Sequence, residues 1–195
     1  EWGEWFGAGG WINAMIPVIA TPGNHEYAAR LDAEGNKKRF LSRYWAPQFA
    51  FPTNGPAGLS DSVYYIDYQN LRVISLNSNE LRDEQVPWLE RVLSENDRTW
   101  TVVTFHHPIY SMAKNRDNAD LRDLWKPLFD RYGVDLVLNG HDHAYGRSGL
   151  LVPEHNVATG ASRRSSESGT VYVVSVSGPK MYELDPAPRA EIRRE

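Results

Sequence analysis

The sequence contains no cysteine, and this absence excludes two classes of site. Disulfide bonds and thiolate metal sites cannot form, so any metal ion must be held by histidine, carboxylate, amide or backbone oxygen ligands. No run of 18 apolar residues exists, so no segment is predicted to span a bilayer. No signal peptide is visible, and the chain begins at Glu1 rather than at a methionine. We therefore expect a fragment or a processed product.

The sequence also has no excess of positive charge. It contains 21 basic and 25 acidic residues, with a formal net charge of −4, which argues against a general nucleic-acid-binding or anionic-membrane surface. Hydrophobic residues make up 41% of the 195 residues and aromatic residues 12%. This composition and length predict one globular domain, residues 1–195, with a core built largely from bulky side chains.

Hydrophobic periodicity predicts alternating helices and strands along the chain. Helical spacing is found over residues 2–15 (interrupted at Gly9-Gly10), 37–45, 83–96 and 118–132. Strands are predicted over residues 17–20, 63–68, 71–76, 100–105, 134–138 and 170–177. A surface loop over 151–169 and a frayed tail after Met181 are also expected. The alternation indicates an α/β fold, and the hairpin at 63–76 makes its sheet mixed.

Three polar clusters follow three of these predicted strands: Gly23-Asn24-His25-Glu26, His106-His107-Pro108 and Gly140-His141-Asp142-His143. Each cluster alone is compatible with a structural role. Strand ends that meet at one edge of a sheet bring such clusters together, whatever their separation in sequence. Several imidazoles with amide or carboxylate oxygens suit Zn, Mn, Fe, Co or Ni better than Mg or Ca. Together the clusters predict a metal site, and Gly140 is expected to make the sharp turn before His141.

G-N-H-E, then H-x-P, then G-H-x-H, in this order along an α/β chain, resembles the calcineurin-like metallophosphoesterases. The neighbouring segments Q-V-P-W-L-E, H-H-P-I-Y-S and L-V-L-N-G-H-D-H-A-Y are similar to the purple acid phosphatase branch. The resemblance extends from about Trp11 to Tyr182. It implies a four-layer α-β-β-α sandwich with mixed sheets and a two-metal site at the strand ends.

The resemblance also implies roles for single residues. Asn24, His106 and His141 correspond to ligands of the second, divalent metal, and His143 corresponds to a ligand of the first metal. Asn24 and His25 are adjacent and can hardly face one ion together, so His25 is expected to act on the substrate. It would protonate the leaving oxygen or stabilise charge in the transition state.

Three further residues receive weaker expectations. Glu26 is expected to orient His25, and His107 is expected to be a packed or second-shell group beside the metal ligands. Arg116 lies in the loop after H-x-P, where it can bind a phosphate with two hydrogen bonds or simply face solvent. Asp142 is expected to form hydrogen bonds or to be solvated rather than to bind a metal.

The implied reaction is hydrolysis of a phosphomonoester by metal-bound hydroxide at a dinuclear site that holds Fe with Zn, Mn or Fe. The family's upstream D-x-H and G-D segments, which supply the bridging carboxylate, are missing from this sequence. We therefore expect the domain to be truncated at its N-terminal side, to bind one metal ion or none, and to be inactive alone. A non-catalytic scaffold and a phosphodiesterase or nuclease remain as alternatives. The branch suggests a small phosphate ester as substrate and a secreted or periplasmic location.

Overall fold

The computed structural model describes residues 2–151, 169–176 and 178–187, and the backbone of 192–193. In chain order its helices and strands are α1 (Trp2–Gly9), α2 (Trp11–Met15), β1 (Tyr27–Leu31), β2 (Lys37–Leu41), β3 (Tyr64–Tyr68), β4 (Leu71–Ser75), α3 (Val86–Ser94), β5 (Trp100–Phe105), α4 (Ala119–Tyr132), β6 (Leu136–Asn139), β7 (Gly146–Ser148), β8 (Val171–Val174) and β9 (Ile192–Arg193). The predicted surface loop lies almost entirely outside the described residues. Within the described ranges, no helix has the length and apolarity needed to cross a bilayer.

Seven strands form the central sheet in the order β3-β4-β5-β6-β8-β7-β9. The middle strands β4, β5, β6 and β8 run parallel, whereas β3, β7 and β9 join antiparallel. The predicted α/β class with a mixed sheet is confirmed. Parallel pairing is important for function, because it brings the carboxyl ends of β4, β5 and β6 to one edge of the sheet.

Helices α3 and α4 pack on one face of this sheet and close the main hydrophobic core. The ring of Trp125 meets that of Phe105 edge to face at 5.0 Å, and both are buried. Pro87 lies in the first turn of α3, where a missing N–H costs nothing. Gly133 ends α4 in the left-handed conformation (φ 66°), which glycine adopts without steric penalty. Leu138 on the opposite face of the sheet remains 39% exposed.

Two predicted elements are wrong. Residues 17–20 form no strand, and Tyr64 Oη instead donates a 2.7 Å hydrogen bond to the carbonyl of Ala20. Residues 37–41 form strand β2 rather than a helix, paired antiparallel with β1. Turn chemistry outweighs helical spacing here, because Asp32 accepts the backbone N–H of Asn36 at 2.7 Å and Gly35 takes a positive φ.

The tail after Met181 is not frayed over its described part. The backbone N–H of Tyr182 donates to His143 O at 2.8 Å, and the N–H of Asp185 donates to Met112 O at 2.9 Å. Leu184 forms an isolated β-bridge with Ala113. Residues 182–185 are therefore fixed against the loops that follow β5 and β6.

Candidate metal centre

The candidate site lies where β4, β5 and β6 end. His106 and His107 directly follow β5, and Gly140 and His141 directly follow β6, its parallel neighbour. The N–H of Gly140 donates to His106 O at 3.0 Å, which ties the two exits together. The turn is made by His141, with φ 67°, rather than by Gly140 as expected. A left-handed conformation is unusual for a residue with a Cβ, and it aims the imidazole of His141 across the edge towards β5.

Asn24 reaches this edge on a single 3-10 turn, Asn24–Glu26, rather than at the end of a strand. The carboxylate of Glu26 accepts the N–H of Gly23 at 2.7 Å and so closes the turn. The guanidinium of Arg39 donates to Asn24 O at 2.5 Å and to Tyr27 O at 2.7 Å. The turn is thus held from both sides. This contact of Glu26 is with the backbone of its own turn, and its expected role in orienting His25 stays a prediction.

Three side-chain atoms from the three clusters converge on one point. His106 Nε2 lies 2.7 Å from Asn24 Oδ1, His141 Nδ1 lies 2.9 Å from His106 Nε2, and Asn24 Oδ1 lies 3.3 Å from His141 Nδ1. Ligands about 2.1 Å from a transition metal lie about 3.0 Å apart in octahedral and about 3.4 Å apart in tetrahedral coordination. The three distances therefore fit ligation of one cation by two nitrogens and an oxygen.

Burial keeps these imidazoles in the form that binds metals. It lowers the pKa of His106 to about 3, helped by the charges of neighbouring histidines. The pKa of His107 is lowered to about 4, again chiefly by burial, and burial also lowers the pKa of His141. All three rings are therefore neutral at pH 7, and a neutral imidazole has the lone pair that a cation requires.

His143 and His25 lie near the triangle without joining it. His143 Nδ1 is 3.0 Å from Lys180 O, and its ring is 4.9 Å from that of Tyr182. His25 is exposed, but its charge contributes to lowering the pKa of both His106 and His141. The site thus has one set of three convergent ligands and two histidines at its margin.

His107 is closer to the ligands than its expected second-shell role requires. Its ring centroid is 4.4 Å from that of His141 and 4.9 Å from that of His106, and the three rings offer nitrogens within 4.8 Å of one another. Ser78, which is fully buried after β4, holds this imidazole: its Oγ lies 2.9 Å from His107 Nδ1 and accepts the N–H of His107 at 3.0 Å. A ring nitrogen fixed in this way leaves the other one to face the site.

Sequence reasoning missed the network that supports Ser78. Gln85 is fully buried, its Oε1 accepts the N–H of Asn77 at 3.0 Å, and its Nε2 donates to Asn77 O at 2.8 Å. Asn77 Nδ2 donates to Tyr27 Oη at 2.6 Å, and Tyr27 donates to Glu80 at 2.6 Å. This network joins the loop after β4 to the start of β1. The only sequence signal for it is a run of polar residues directly after an apolar strand.

Arg116 lies beside the histidines and is paired with a carboxylate. Its Nε donates to Asp142 Oδ1, and Ser111 Oγ donates to Asp142 Oδ2. Asp142 is only 1% exposed, whereas about a third of the Arg116 side chain is accessible. The charge of Arg116 contributes, after burial, to the lowered pKa of His141. Asp142 therefore forms hydrogen bonds, as expected, and it fixes a cation at the margin of the site.

Residues 1–145 match the sequence model of the calcineurin-like phosphoesterase family, and the chain belongs to that family. It is 30% identical to an uncharacterized protein of Mycobacterium tuberculosis, over 98% of this chain and 41% of that protein. It is 32% identical to purple acid phosphatase 15 of Arabidopsis thaliana, over 70% of this chain and 26% of that protein. These matches confirm the resemblance to the purple acid phosphatase branch. The chain spans less than half the length of either relative.

A solved structure supports the fold. Purple acid phosphatase PPD1 from yellow lupin (Lupinus luteus) seeds superposes with a TM-score of 0.55 over 70% of this chain and 27% of that chain, at 23% sequence identity. The mixed sheet with its helices therefore matches the metallophosphoesterase fold.

Proposed function

We propose that this chain supplies part of the active site of a metal-dependent hydrolase of small phosphate monoesters. The observation that carries the proposal is the convergence of Asn24 Oδ1, His106 Nε2 and His141 Nδ1 within 3.3 Å of one another. Half-buried neutral imidazoles and an amide oxygen are suited to a transition-metal cation. Membership of the calcineurin-like phosphoesterase family supports phosphoester chemistry at such a site.

In this proposal Asn24, His106 and His141 hold one divalent cation, and His143 belongs to a second metal position. The pair would be Fe with Zn, Mn or Fe; one relative, of Arabidopsis thaliana, is named Fe(3+)-Zn(2+) purple acid phosphatase 12. Bound cations supply Lewis acidity at the phosphoryl oxygens and make a water molecule more acidic. His143 Nδ1 lies 3.0 Å from Lys180 O and is not one of the three convergent atoms, which supports a second position.

The remaining chemistry falls to residues of this chain. His25 is exposed beside the triangle, so its imidazole can approach a bound ester and protonate the leaving oxygen. Arg116 binds phosphoryl oxygens through its terminal amino groups, since its Nε is already bonded to Asp142. Glu26 acts on His25 only indirectly, because its carboxylate stabilises the turn that carries both Asn24 and His25.

We further propose that the 195 residues form one domain that is completed by more sequence in a longer protein, here termed the parent protein. Two observations support this: the relatives are more than twice as long, and apolar side chains such as Leu138 stay exposed on the sheet face opposite α3 and α4. Parallel sheets are normally covered on both faces. The separate chain would bind one cation weakly or none, and would be inactive. A secreted or periplasmic location is proposed from the resemblance alone.

Hydrolysis of 4-nitrophenyl phosphate by the parent protein, stripped with chelator and reloaded with Zn²⁺, Mn²⁺ or Fe, tests the function. We expect activity to return with metal, and His141→Ala to reduce kcat/KM by about 10²-fold or more, as expected when a ligand is lost. His155→Ala is the matched control, since His155 lies in none of the three motifs. A parent protein that binds metal but hydrolyses no ester would support the scaffold alternative. Faster cleavage of bis(4-nitrophenyl) phosphate would support the phosphodiesterase alternative.

A further inference from the structure

Asp142 separates the two histidines of G-H-D-H, and its carboxylate is almost completely buried, at 1% exposure. Burying a carboxylate is costly unless it is paired with a cation and hydrogen-bonded. Both oxygens are satisfied from the loop after β5: Oδ1 accepts Arg116 Nε, and Oδ2 accepts Ser111 Oγ. The carboxylate thus joins the loop of His141 to the loop of His106, through the guanidinium of Arg116 and the hydroxyl of Ser111.

The guanidinium of Arg116 is restrained from a second direction. Its Cζ lies 5.1 Å from the centre of the Tyr182 ring, within cation–π range. Tyr182 is itself fixed, because its N–H donates to the carbonyl of His143 at 2.8 Å. The N–H of Arg116 donates to Ala113 O at 3.3 Å and closes the turn beneath the side chain. Arg116 therefore has a carboxylate on one side, an aromatic ring on another and a defined backbone.

Arg116 also lies unusually close to a place that suits a cation. Its Nε donates to Asp142, the residue directly after the candidate ligand His141, so the guanidinium lies beside the loop that carries one corner of the ligand triangle. Two cations in such proximity repel each other unless an anion lies between them. Among the described residues, the ion-pair partner of Arg116 is Asp142, and Arg116 bonds to it through its Nε alone. Two terminal amino groups remain to bind an anion.

Resting on the function proposed above, we propose that Asp142, supported by Ser111 and Tyr182, is a positioning residue that fixes Arg116 as the phosphate-binding cation of this site. A prepositioned guanidinium spends little conformational entropy when it binds. It also attracts a dianionic monoester more strongly than a monoanionic diester. The device therefore selects monoesters. A structural ion pair alone would bridge the same loops without affecting phosphate affinity.

The test uses the metal-loaded parent protein and compares wild type with Asp142→Asn, Arg116→Ala and the double variant. Asp142→Asn keeps the shape of the side chain but removes the charge that orients Arg116. We expect Asp142→Asn to raise KM for 4-nitrophenyl phosphate, and the inhibition constant for inorganic phosphate, by about tenfold, with kcat changed by less than about twofold. For bis(4-nitrophenyl) phosphate, kcat/KM should fall by only about twofold.

Double-mutant coupling separates positioning from general support of the loops. Because Asp142 acts through Arg116, the double variant should be no weaker in phosphate affinity than Arg116→Ala alone. Lys114→Gln is the matched control: it removes a cation two residues away that pairs with Glu183 at 2.8 Å, and it should leave KM unchanged. Tyr182→Leu should weaken phosphate binding, and Tyr182→Phe, which keeps the ring, should not.

Several results would overturn the proposal. One is an unchanged KM and phosphate inhibition constant in a folded, metal-loaded Asp142→Asn protein. Additive effects on phosphate affinity in the double variant are another. An equal loss of kcat/KM for the monoester and the diester is a third. If Asp142→Asn instead loses metal or does not fold, the two Tyr182 variants decide. Equal phosphate binding by Tyr182→Leu and Tyr182→Phe would also contradict the proposal. An inactive wild-type protein that still binds phosphate through Arg116 would refute the proposed function but not this inference.

Discussion

Gly23→Ala tests the ligand triangle without changing any charge or ligand. Gly23 has φ −92° and ψ 178°, which alanine adopts without strain, so the effect of the new methyl group is purely steric. Its Cβ would lie 2.8 Å from His106 Cε1, 2.9 Å from His106 Nδ1 and 3.0 Å from Glu26 Oε2, which belongs to a more flexible side chain. Ordinary contact between such atoms begins at about 3.5 Å, so the imidazole must move by about 0.7 Å. Metal–ligand distances tolerate only about 0.2 Å, so this displacement removes His106 from the ligand set.

We expect Gly23→Ala to weaken divalent-metal binding by about 10- to 100-fold, the range seen when the support of a metal-ligating histidine is lost. Competition with a chromophoric chelator measures the affinity of the parent protein for Zn²⁺ or Co²⁺. The control is Gly7→Ala in α1, whose Cβ meets no atom within 4 Å. Urea unfolding with chelator present should show a change below about 1 kcal/mol, because the partly exposed ring can move outward. Unaltered metal affinity in a folded Gly23→Ala protein would refute the reasoning.

Three other predictions concern the surroundings of the metal centre. Burial lowers the pKa of His106 to about 3 and of His107 to about 4, whereas in the unfolded chain both histidines take up a proton near pH 6.5. Metal-free protein should therefore lose about 1.4 kcal/mol of stability per histidine as the pH falls from 8 to 5.5. Urea midpoints that do not change with pH would contradict this. Gln85→Ala removes four hydrogen bonds to the backbone of the loop after β4. It should lower the free energy of unfolding in urea by about 2–4 kcal/mol, and a decrease under about 1 kcal/mol would refute this. Arg39→Met removes the donor to Asn24 O and to Tyr27 O and should weaken metal binding by about 3- to 10-fold in the chelator competition. Equal affinity would show that the turn needs no such support.

Most of the fold could be predicted wherever one face of an element is buried. Strand β5 has the predicted bounds, Trp100–Phe105, because alternate residues face the core. Helix α4 begins one residue after its predicted start and ends at the predicted residue, because an apolar stripe faces the sheet and Gly133 stops it. Residues 37–41 misled the prediction because their apolar and basic side chains repeat at helical spacing, whereas their backbone pairs with β1. The turn before β2 is nevertheless encoded locally, because the Asp32 carboxylate accepts the backbone N–H groups of Glu34 and Asn36.

Motif order and the expected parallel sheet indicated which clusters meet at the site. What they could not indicate is which side chains support it, because those contacts depend on three-dimensional packing. Ser111 and Arg116 reach Asp142 across 31 and 26 residues, and no local pattern encodes such pairs. The positive φ of His141 was not indicated either: it occurs in a tight turn that the N–H of Asp142 closes by donating to Gly140 O at 2.7 Å, and a left-handed φ is unusual for a residue with a Cβ.

The most direct measurement of the central claim is an anomalous difference map at the zinc edge, from crystals of the parent protein soaked in Zn²⁺. The account predicts a peak within about 2.3 Å of Asn24 Oδ1, His106 Nε2 and His141 Nδ1. A map with no peak between these three atoms, or with peaks only at surface carboxylates, would contradict it.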